Sequence, residues 1–361
     1  MIKSWSYINE YKDLKNQIIS SIDRSLKSGN IFFGSEIKKF ENNFLRLNKI
    51  RYGSAVGSGT EALYISLMAL GIKKDDEIIT VSNTAIATIS AIIQVGAKPV
   101  FVDIRNDYLI NPDKIEEKIS NKTKAIIVVH LYGQSCDMDT IIKISKKYKL
   151  KIIEDCAQAQ GATYKNKTVG TFGDLSCFSF YPTKILGCYG DGGFIGTNNK
   201  KLFIKTRLIR FYGIDTINKK NKYFNKYYSN IHGINSRLDE IQSTILNIKI
   251  RKIKKFISKR RELAKIYNNE LSKTELILPK ENKKNKHVYH LYVVYHRKRD
   301  LILKKLKKYN VFLSIQYPYP IHNMFGYKKF LKKDQFLPLT EKYSKGIFSL
   351  PLYPSLEKKN V

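Results

Sequence analysis

The sequence predicts an α/β protein whose mainly parallel sheet is covered by helices on both faces. Short apolar runs alternate with segments of helical periodicity through about the first two thirds of the chain. Strands buried on both faces have such near-continuous apolar sequences, and parallel strands need crossover helices between them. The runs that predict strands are residues 78–81, 99–102, 125–129, 151–153, 175–180 and 193–196. The helices predicted beside them are residues 60–70, 84–95, 138–148 and 200–210.

Polar residues stand where several of these predicted strands end, which is a further observation in favour of the fold. Asn83, His130 and Asp155 follow three of the apolar runs, and Ser179 lies near the end of a fourth. Ligands of open parallel sheets bind beyond the carboxyl ends of the strands. We therefore expect a binding site at this edge of the sheet.

The remainder of the chain has a different pattern, which predicts a smaller α+β domain. A long helical segment at residues 236–271 leads into two predicted strands, 288–295 and 311–316, with a helix at 300–308 between them. We expect a large α/β domain over residues 1–250 and a small domain over residues 251–361. A chain of 361 residues has room for two such units.

The charge balance is strongly basic, with 65 Lys and Arg against 31 Asp and Glu and a net charge of +34. Such a surplus is typical of proteins that bind nucleic acid or membrane surfaces. Here the lysines are spread over the whole chain, and solvated surface is the ordinary role of such residues. We expect no nucleic-acid partner and no membrane partner, and a basic surface that attracts anionic substrates.

Targeting signals and metal-binding spacings are absent from the sequence. The longest apolar stretch, residues 85–97, is too short to span a bilayer and predicts a buried helix. The N-terminus has no apolar run of the secretory kind, so the cytoplasm is expected. Four cysteines lack zinc-type spacing, which predicts reduced thiols and no metal site; they are Cys136, Cys156, Cys177 and Cys188.

Lys184, at the end of Phe178-Ser-Phe-Tyr-Pro-Thr-Lys184, is the strongest candidate for a catalytic residue. It follows Ser179 by five residues and Asp155 by 29. These residue types suit an enzyme that uses pyridoxal phosphate, because an amine bonds the cofactor aldehyde, a carboxylate keeps the ring nitrogen protonated and a hydroxyl helps hold the phosphate. A lysine alone is weak evidence, since most lysines are solvated. The hypothesis therefore depends on the surrounding sequence.

Six short blocks in a fixed order make the chain resemble one family. They are Gly57-Ser-Gly-Thr-Glu-Ala-Leu63, Val129-His-Leu-Tyr-Gly-Gln134, Glu154-Asp-Cys-Ala-Gln158, Phe180-Tyr-Pro-Thr-Lys184, Gly190-Asp-Gly-Gly193 and Gly233-Ile-Asn-Ser-Arg-Leu-Asp-Glu240. Their order and gaps are similar to those of the DegT/DnrJ/StrS sugar aminotransferases, and the resemblance covers about residues 29–354. One block would be a weak signal, whereas six in order are specific.

The resemblance implies the fold of type I pyridoxal-phosphate transferases, with a seven-stranded, mainly parallel sheet between helices. It also implies pyridoxal phosphate as the cofactor, with pyridoxamine phosphate as its second form. In the family pattern Asp155 faces the pyridinium nitrogen, Gln158 lies near the ring hydroxyl, and Gly59, Thr60 and Ser179 bind the phosphate. A helix N-terminus suits an anion. Taken alone, a Gly-Thr pair is an ordinary helix cap, and a strand-terminal Asp can also cap a helix.

The resemblance further implies a homodimer with shared active sites, because Asn235 matches a residue that reaches the phosphate from the partner subunit. Two positions depart from the family pattern. Ala85 stands where many relatives have an aromatic ring over the cofactor, and Gln316 stands where many have His. Both lie near the expected substrate entrance and bear on sugar identity. The candidate substrate contacts are Tyr181, Arg210, Tyr212, Arg237, Tyr317 and His322.

The function implied by the resemblance is a two-stage transamination. Glutamate gives its amino group to the cofactor and leaves as 2-oxoglutarate, and a nucleotide-linked keto-6-deoxyhexose then accepts the nitrogen. The segments 231–237, 82–84 and 316–322 are most similar to members that aminate carbon 3 of a dTDP-sugar, for amino-sugar and lipopolysaccharide synthesis. Amination at carbon 4 of a UDP- or GDP-keto sugar is the alternative.

Two other classes of protein fit the sequence less well. A dehydratase branch of the same fold has histidine in place of the lysine, whereas this chain has Lys184. A basic regulatory protein that binds nucleic acid is favoured only by the net charge. Such a protein has no need for the combination of Lys184 with Asp155, Gln158 and Ser179.

Overall fold

A computed structural model describes residues 1–215, 227–331 and 335–361 of the chain. The strands are β1 (Ile2–Lys3), β2 (Tyr52–Val56), β3 (Glu77–Val81), β4 (Lys98–Val102), β5 (Thr123–Val129), β6 (Lys151–Asp155), β7 (Thr163–Tyr164), β8 (Lys167–Thr168), β9 (Leu175–Ser179), β10 (Gly193–Thr197), β11 (Asn285–Lys286), β12 (Tyr292–Tyr295), β13 (Val311–Phe312) and β14 (Ile347–Leu350). The helices are α1 (Ile8–Lys27), α2 (Ser35–Asn48), α3 (Gly59–Leu70), α4 (Ile86–Gln94), α5 (Met138–Tyr148), α6 (Lys200–Ile209), α7 (Glu240–Lys249), α8 (Ile253–Glu270), α9 (Arg299–Lys308), α10 (Phe325–Lys328) and α11 (Pro338–Ser344). None of the helices in these ranges combines the length and the apolar character needed to cross a bilayer.

A seven-stranded sheet with the order β2-β10-β9-β6-β5-β3-β4 forms the centre of the molecule. Its strands run parallel except for β10, which is antiparallel to both of its neighbours. The predicted mainly parallel α/β sheet is therefore confirmed. Each apolar run that predicts a strand corresponds to one of β3, β4, β5, β6, β9 and β10.

Strand β2 is the sheet member that the apolar pattern does not predict, because its sequence Tyr-Gly-Ser-Ala-Val contains small residues. The packing explains the glycine. A Cβ atom added at Gly53 would lie 2.3 Å from a ring carbon of Phe194 on β10. Glycine fits where a strand lies close to a neighbouring ring, but it adds nothing to an apolar run. The apolar pattern therefore does not predict β2.

Both faces of the sheet are covered by helices, as successive residues of its strands show. Val56, Cys177 and Ile195 join a core cluster with apolar residues of α3. Their neighbours along the strands join a second cluster around Phe40 and Phe44 of α2. Since adjacent side chains of a strand point to opposite faces, the two clusters lie on opposite sides of the sheet.

The C-terminal part differs in detail from its predicted elements. The predicted helix 236–271 is two helices, α7 and α8, separated by a 3-10 turn at Ile250–Lys252. The predicted strand 288–295 is regular only as β12, which pairs with β14. Before β12, the backbone N–H groups of Val288 and His290 donate to the carbonyls of Gly133 and Tyr132, so this stretch is held by the loop after β5.

The N-terminal strand β1 pairs with β13, so the first residues of the chain contact its C-terminal part. The helix predicted at 300–308 is α9, and the buried helix predicted at 85–97 is the shorter α4. We retain the division into residues 1–250 and 251–361 as a proposal. Strand β1 belongs to the first range but pairs with β13 of the second.

Candidate active site

Asp155 ends β6 at the carboxyl edge of the sheet, and its buried carboxylate is held on both oxygens. The Thr88 hydroxyl donates to Oδ2 at 2.9 Å, and the Ala157 N–H donates to Oδ1 at 3.1 Å. Burial raises the pKa of Asp155, while these two hydrogen bonds and the charge of Lys184 act to lower it. The hydrogen bonds fix the direction of a carboxylate that keeps an electrostatic interaction with the lysine.

Lys184 lies in a tight turn after β9, where its N–H donates to the Tyr181 carbonyl at 2.9 Å. A Cβ atom added at Gly187 would lie 2.7 Å from that same carbonyl oxygen, so the turn requires a residue without a side chain. Burial lowers the pKa of Lys184 to about 8, and the Asp155 carboxylate acts in the opposite direction. An amine with this pKa is partly neutral near pH 8 and can act as a nucleophile.

The N-terminus of α3 lies directly against Ser179. Ser58 caps the helix, because its Oγ accepts from the Glu61 N–H at 3.1 Å. A Cβ atom at Gly59 would lie 2.8 Å from the Ser179 Cβ, so the missing side chain keeps the first turn open next to the serine. The structure thus brings together Gly59, Thr60 and Ser179 at a helix N-terminus, where the backbone dipoles favour an anion.

Gln158 connects the loop after β5 with the C-terminal part of the chain. Its Oε1 accepts from the Tyr132 N–H at 2.8 Å, and its Nε2 donates to the Tyr317 hydroxyl at 3.0 Å. Burial raises the pKa of Tyr317 to about 12, so its hydroxyl stays protonated. The Gln158 amide is buried, and its bond to the Tyr317 hydroxyl brings that predicted substrate residue to the site.

Tyr181 and Tyr212 present open aromatic surfaces, with 52% and 47% of each residue exposed. Asn235 is exposed as well, and its backbone pairs with Phe211. The Arg237 guanidinium lies 4.3 Å from the ring centre of Phe32. Tyr181, Tyr212 and Asn235 are therefore accessible, and Arg237 is partly buried.

Ser236 fixes the segment of Asn235 and Arg237 beside the start of α3. Its hydroxyl accepts from the Gly57 N–H at 3.0 Å and donates to a Glu61 carboxylate oxygen. The loop that carries Asn235 is thereby tied to the block that contains Gly59.

The side chains of Arg210 and His322 are buried and do not face an open surface where a substrate could contact them. The Arg210 guanidinium is buried, 3.1 Å from a Glu41 carboxylate oxygen, and also donates to the Ala55 carbonyl. The buried His322 ring lies with Nδ1 2.8 Å from the Ser82 hydroxyl and with Nε2 3.1 Å from Glu341. Both side chains support the loops around the cluster, because their polar atoms are already engaged.

Three residues of the cluster were missed in the sequence: Thr88, Tyr132 and His290. Thr88 lies on α4 and reaches Asp155, although 67 residues separate them. His290 is buried, and burial together with the charges of Lys184 and Arg260 holds its pKa well below the ordinary value. The block Val129-His-Leu-Tyr contains Tyr132, so that residue had a signal in the sequence, whereas Thr88 and His290 had none.

His130, Glu154 and Cys156 bring possible metal ligands within 4.8 Å of one another. Hydrogen bonds already use the candidate ligand atoms of His130 and Glu154. His130 Nε2 lies 3.0 Å from Glu154, and Nδ1 accepts from the Cys136 N–H. The Glu154 carboxylate also accepts from three backbone N–H groups, those of Gly170, Phe172 and Gly173. Burial raises the pKa of the Cys156 thiol, so the group acts as a buried hydrogen-bond network.

These groups fit pyridoxal phosphate. The open first turn of α3 beside Ser179 suits the phosphate, and a buried carboxylate in electrostatic contact with a lysine of lowered pKa suits the ring nitrogen and the aldehyde. Together with the mainly parallel sheet, they define the class of pyridoxal-phosphate-dependent transferases.

Comparison with known proteins gives the family. Residues 12–361 match the DegT/DnrJ/EryC1/StrS aminotransferase family. The chain is 40% identical to dTDP-3-amino-3,4,6-trideoxy-alpha-D-glucose transaminase of Micromonospora megalomicea subsp. nigra, over 98% of this chain and 94% of the relative. It is 41% identical to dTDP-3-amino-3,6-dideoxy-alpha-D-galactopyranose transaminase of Aneurinibacillus thermoaerophilus, over 96% and 93% of the two chains.

A solved structure agrees with these relatives. The crystal structure of S. venezuelae DesV in complex with a ketimine intermediate is similar with a TM-score of 0.93 and 33% identity, covering 100% of this chain and 95% of DesV. The chain therefore belongs to the DegT/DnrJ/EryC1/StrS aminotransferase family. It is a pyridoxal-phosphate-dependent sugar aminotransferase.

Proposed function

We propose that this enzyme moves an amino group from glutamate to carbon 3 of a dTDP-linked keto-6-deoxyhexose. The observation that carries the chemical part of the proposal is the electrostatic pairing of Lys184, whose pKa is lowered to about 8, with the buried carboxylate of Asp155. The sugar, the nucleotide and the carbon position rest on similarity, because two relatives are named as transaminases of dTDP-3-amino sugars.

Pyridoxal phosphate supplies, when bound, an aldehyde that takes the amino group and a ring that accepts electrons. We assign its ring nitrogen to Asp155, whose two hydrogen bonds hold the carboxylate in place. We assign the ring hydroxyl to the amide of Gln158. The phosphate is assigned to the first turn of α3, at Gly59 and Thr60, and to the Ser179 hydroxyl.

Lys184 has two roles in the proposal. Its amine holds the cofactor before the donor arrives, and once released it carries a proton between the donor carbon and the cofactor. A pKa of about 8 suits this second role, since general bases work best when their pKa lies near the working pH. Asp155 preserves the charge that the ring nitrogen requires.

We propose a homodimer in which Asn235 reaches the phosphate site of the partner and Arg237 and Tyr212 lie near the incoming sugar. Apolar side chains are exposed around this region and would be buried by a second copy of the chain. They include Ile31, Phe32, Ile86, Tyr181 and Tyr212. Tyr317 is proposed as a substrate contact from within the same chain, through the hydroxyl held by Gln158.

The surface charge supports a nucleotide-linked substrate in the cytoplasm. A net charge of +34 attracts the diphosphate of a nucleotide sugar and raises its rate of encounter with the enzyme. Nucleotide-linked amino sugars of this kind would serve the synthesis of surface polysaccharide.

At Ala85, whose backbone precedes α4, the side chain has no aromatic ring to stack on the cofactor.

The experiment that tests this proposal is the mass analysis of products formed with glutamate from separate dTDP-, UDP- and GDP-linked keto sugars. Each acceptor is offered as its 3-keto and its 4-keto form, and the carbon that bears nitrogen is found by NMR. We expect the dTDP-linked 3-keto sugar to be aminated fastest. Preference for a 4-keto sugar, or for a UDP or GDP carrier, would overturn the substrate assignment.

A further inference from the structure

A cavity of about 680 Å³ lies beside the proposed active site but separate from its cofactor residues. It opens between the loop after β4, the loop after β5 and two C-terminal segments, 277–280 and 339–343. None of Lys184, Asp155, Ser179 or Gly59 lines it. Its volume lies in the range of small-molecule sites, which is roughly 300–1,000 Å³.

The lining of the cavity includes a histidine N–H that has no acceptor among the described residues. His287 is 3% exposed, and its Nδ1 accepts from the Tyr289 N–H at 2.9 Å. The proton of the neutral ring therefore sits on Nε2, which has no hydrogen-bond partner among the described residues. Burial lowers the pKa of His287 to about 3, so the ring stays neutral at physiological pH. The Nε2 atom keeps solvent access, so its N–H is available to a ligand in the cavity.

The mouth of the cavity is cationic. Arg105, Lys280 and Lys342 line it, and neither lysine has a salt bridge within the part of the chain described by the structure. The Arg105 Nε donates to the Asn111 Oδ1 at 3.4 Å, and its guanidinium lies 3.9 Å from a carboxylate oxygen of Asp113. The Asp107 carboxylate also lines the cavity and accepts from the Leu109 N–H at 3.2 Å. Three cations against one carboxylate favour an anionic ligand.

The walls are aromatic and aliphatic. Tyr108, Tyr132 and Tyr343 line the cavity with Leu291 and Val293. Tyr108 is buried, and its ring packs edge-on against both other tyrosines, at 5.6 Å and 5.0 Å between centroids. Aromatic and aliphatic walls of this kind suit a base, and the His287 N–H and the Asp107 carboxylate belong to the same lining.

We propose that this cavity is a second binding site, for a nucleoside phosphate, with the base inside and the phosphate at Arg105, Lys280 and Lys342. The site goes beyond the transamination proposed above and does not depend on the sugar or the carbon that is aminated. Tyr132 connects the two sites, because its N–H donates to Gln158 and its hydroxyl donates to the Gln316 carbonyl. A ligand that packs against Tyr132 would therefore contact a residue that is bonded to Gln158.

Calorimetric titration of the cofactor-loaded enzyme with dTDP, UDP and GDP tests the proposal. The substrate site can take one nucleotide, so the second site predicts two binding events per chain for at least one of the three. Arg105→Glu with Lys342→Glu should remove one event or weaken it at least tenfold. A matched control reverses the exposed Lys143 and Lys146 of α5 and should leave both events unchanged.

Lys280→Gln gives a second variant that removes one proposed phosphate contact at an exposed residue, so it distinguishes loss of the site from loss of the fold. It should weaken the same event while the other is retained. A single event per chain with all three nucleotides would overturn the proposal. So would two events that the rim variant does not change.

Discussion

The carboxylate of Asp155 and the amine of Lys184 interact at the carboxyl edge of the central sheet, and each alters the pKa of the other. Burial alone would favour a neutral acid and a neutral amine. Their mutual attraction opposes burial at both groups, because it lowers the pKa of Asp155 and raises the pKa of Lys184, which is about 8. The proposed chemistry requires a carboxylate that carries charge beside the cofactor and an amine that can lose its proton.

Asp155→Asn should lower turnover by orders of magnitude while cofactor remains bound. The substitution removes the charge that keeps the ring nitrogen protonated but leaves the contacts proposed for the phosphate. Thr88→Val removes one hydrogen bond to the same carboxylate, worth about 1 kcal/mol, so a loss of roughly fivefold to tenfold is expected. Steady-state kinetics and cofactor content check both variants. Normal turnover of Asp155→Asn would assign the role to another carboxylate.

The cofactor-free protein should become more stable as the pH rises from about 8 to about 10.5. Lys184 has a pKa of about 8 in the folded chain and 10.5 as an ordinary lysine, so the unfolded chain binds more protons in this window. Lys184→Met removes the group. We expect the variant to be more stable than the wild type at pH 7 in urea unfolding, with the difference shrinking toward pH 10.5. A difference that stays constant with pH would show that the amine is not buried as described.

Gly59→Ala should weaken cofactor affinity about tenfold. Its new Cβ atom would lie 2.8 Å from the Ser179 Cβ, so the serine or the first turn of α3 must move away from the phosphate position. Gly326→Ala is the matched control, because no atom lies within 4 Å of the added Cβ. Equilibrium dialysis with pyridoxal phosphate measures both. Equal affinities of the two variants would remove Gly59 from the phosphate site.

Mixing two inactive variants tests the shared active site. Lys184→Ala and Asn235→Ala chains, dissociated and reassociated, form heterodimers in which one site carries both changes and the other carries neither. Activity should recover to at most half that of a wild-type dimer. The control mixes Lys184→Ala with Asp155→Asn, which leaves one change in every site and should recover nothing. No recovery in the first mixture, with heterodimers present, would place Asn235 in its own chain's site or in none.

Much of the sheet was predictable because buried parallel strands have strong apolar runs. The apolar-run criterion failed at β2. Its Gly53 leaves room for the Phe194 ring, and a glycine interrupts an apolar run. The segment 236–271 has helical periodicity throughout, so the 3-10 turn at Ile250–Lys252 could not be distinguished from a continuous helix.

The interaction of Lys184 with Asp155 could be expected because both residues lie in family blocks, and their catalytic roles stay predictions. Thr88 and His290 enter through tertiary contacts, which no spacing in the sequence reveals. Arg210 shows the opposite case. Its position in the sequence favours a substrate role, whereas its guanidinium lies in a buried contact with Glu41.

The most direct test of the central claim is a single half-reaction with [15N]glutamate in the absence of a sugar acceptor. A two-stage transaminase releases about one 2-oxoglutarate per chain and then stops, because the nitrogen stays on the cofactor. Addition of the keto sugar should move that 15N to the sugar, as mass analysis would show, and Lys184→Ala should release essentially no 2-oxoglutarate. Continued release without acceptor, or a sugar product without 15N, would contradict transamination through Lys184.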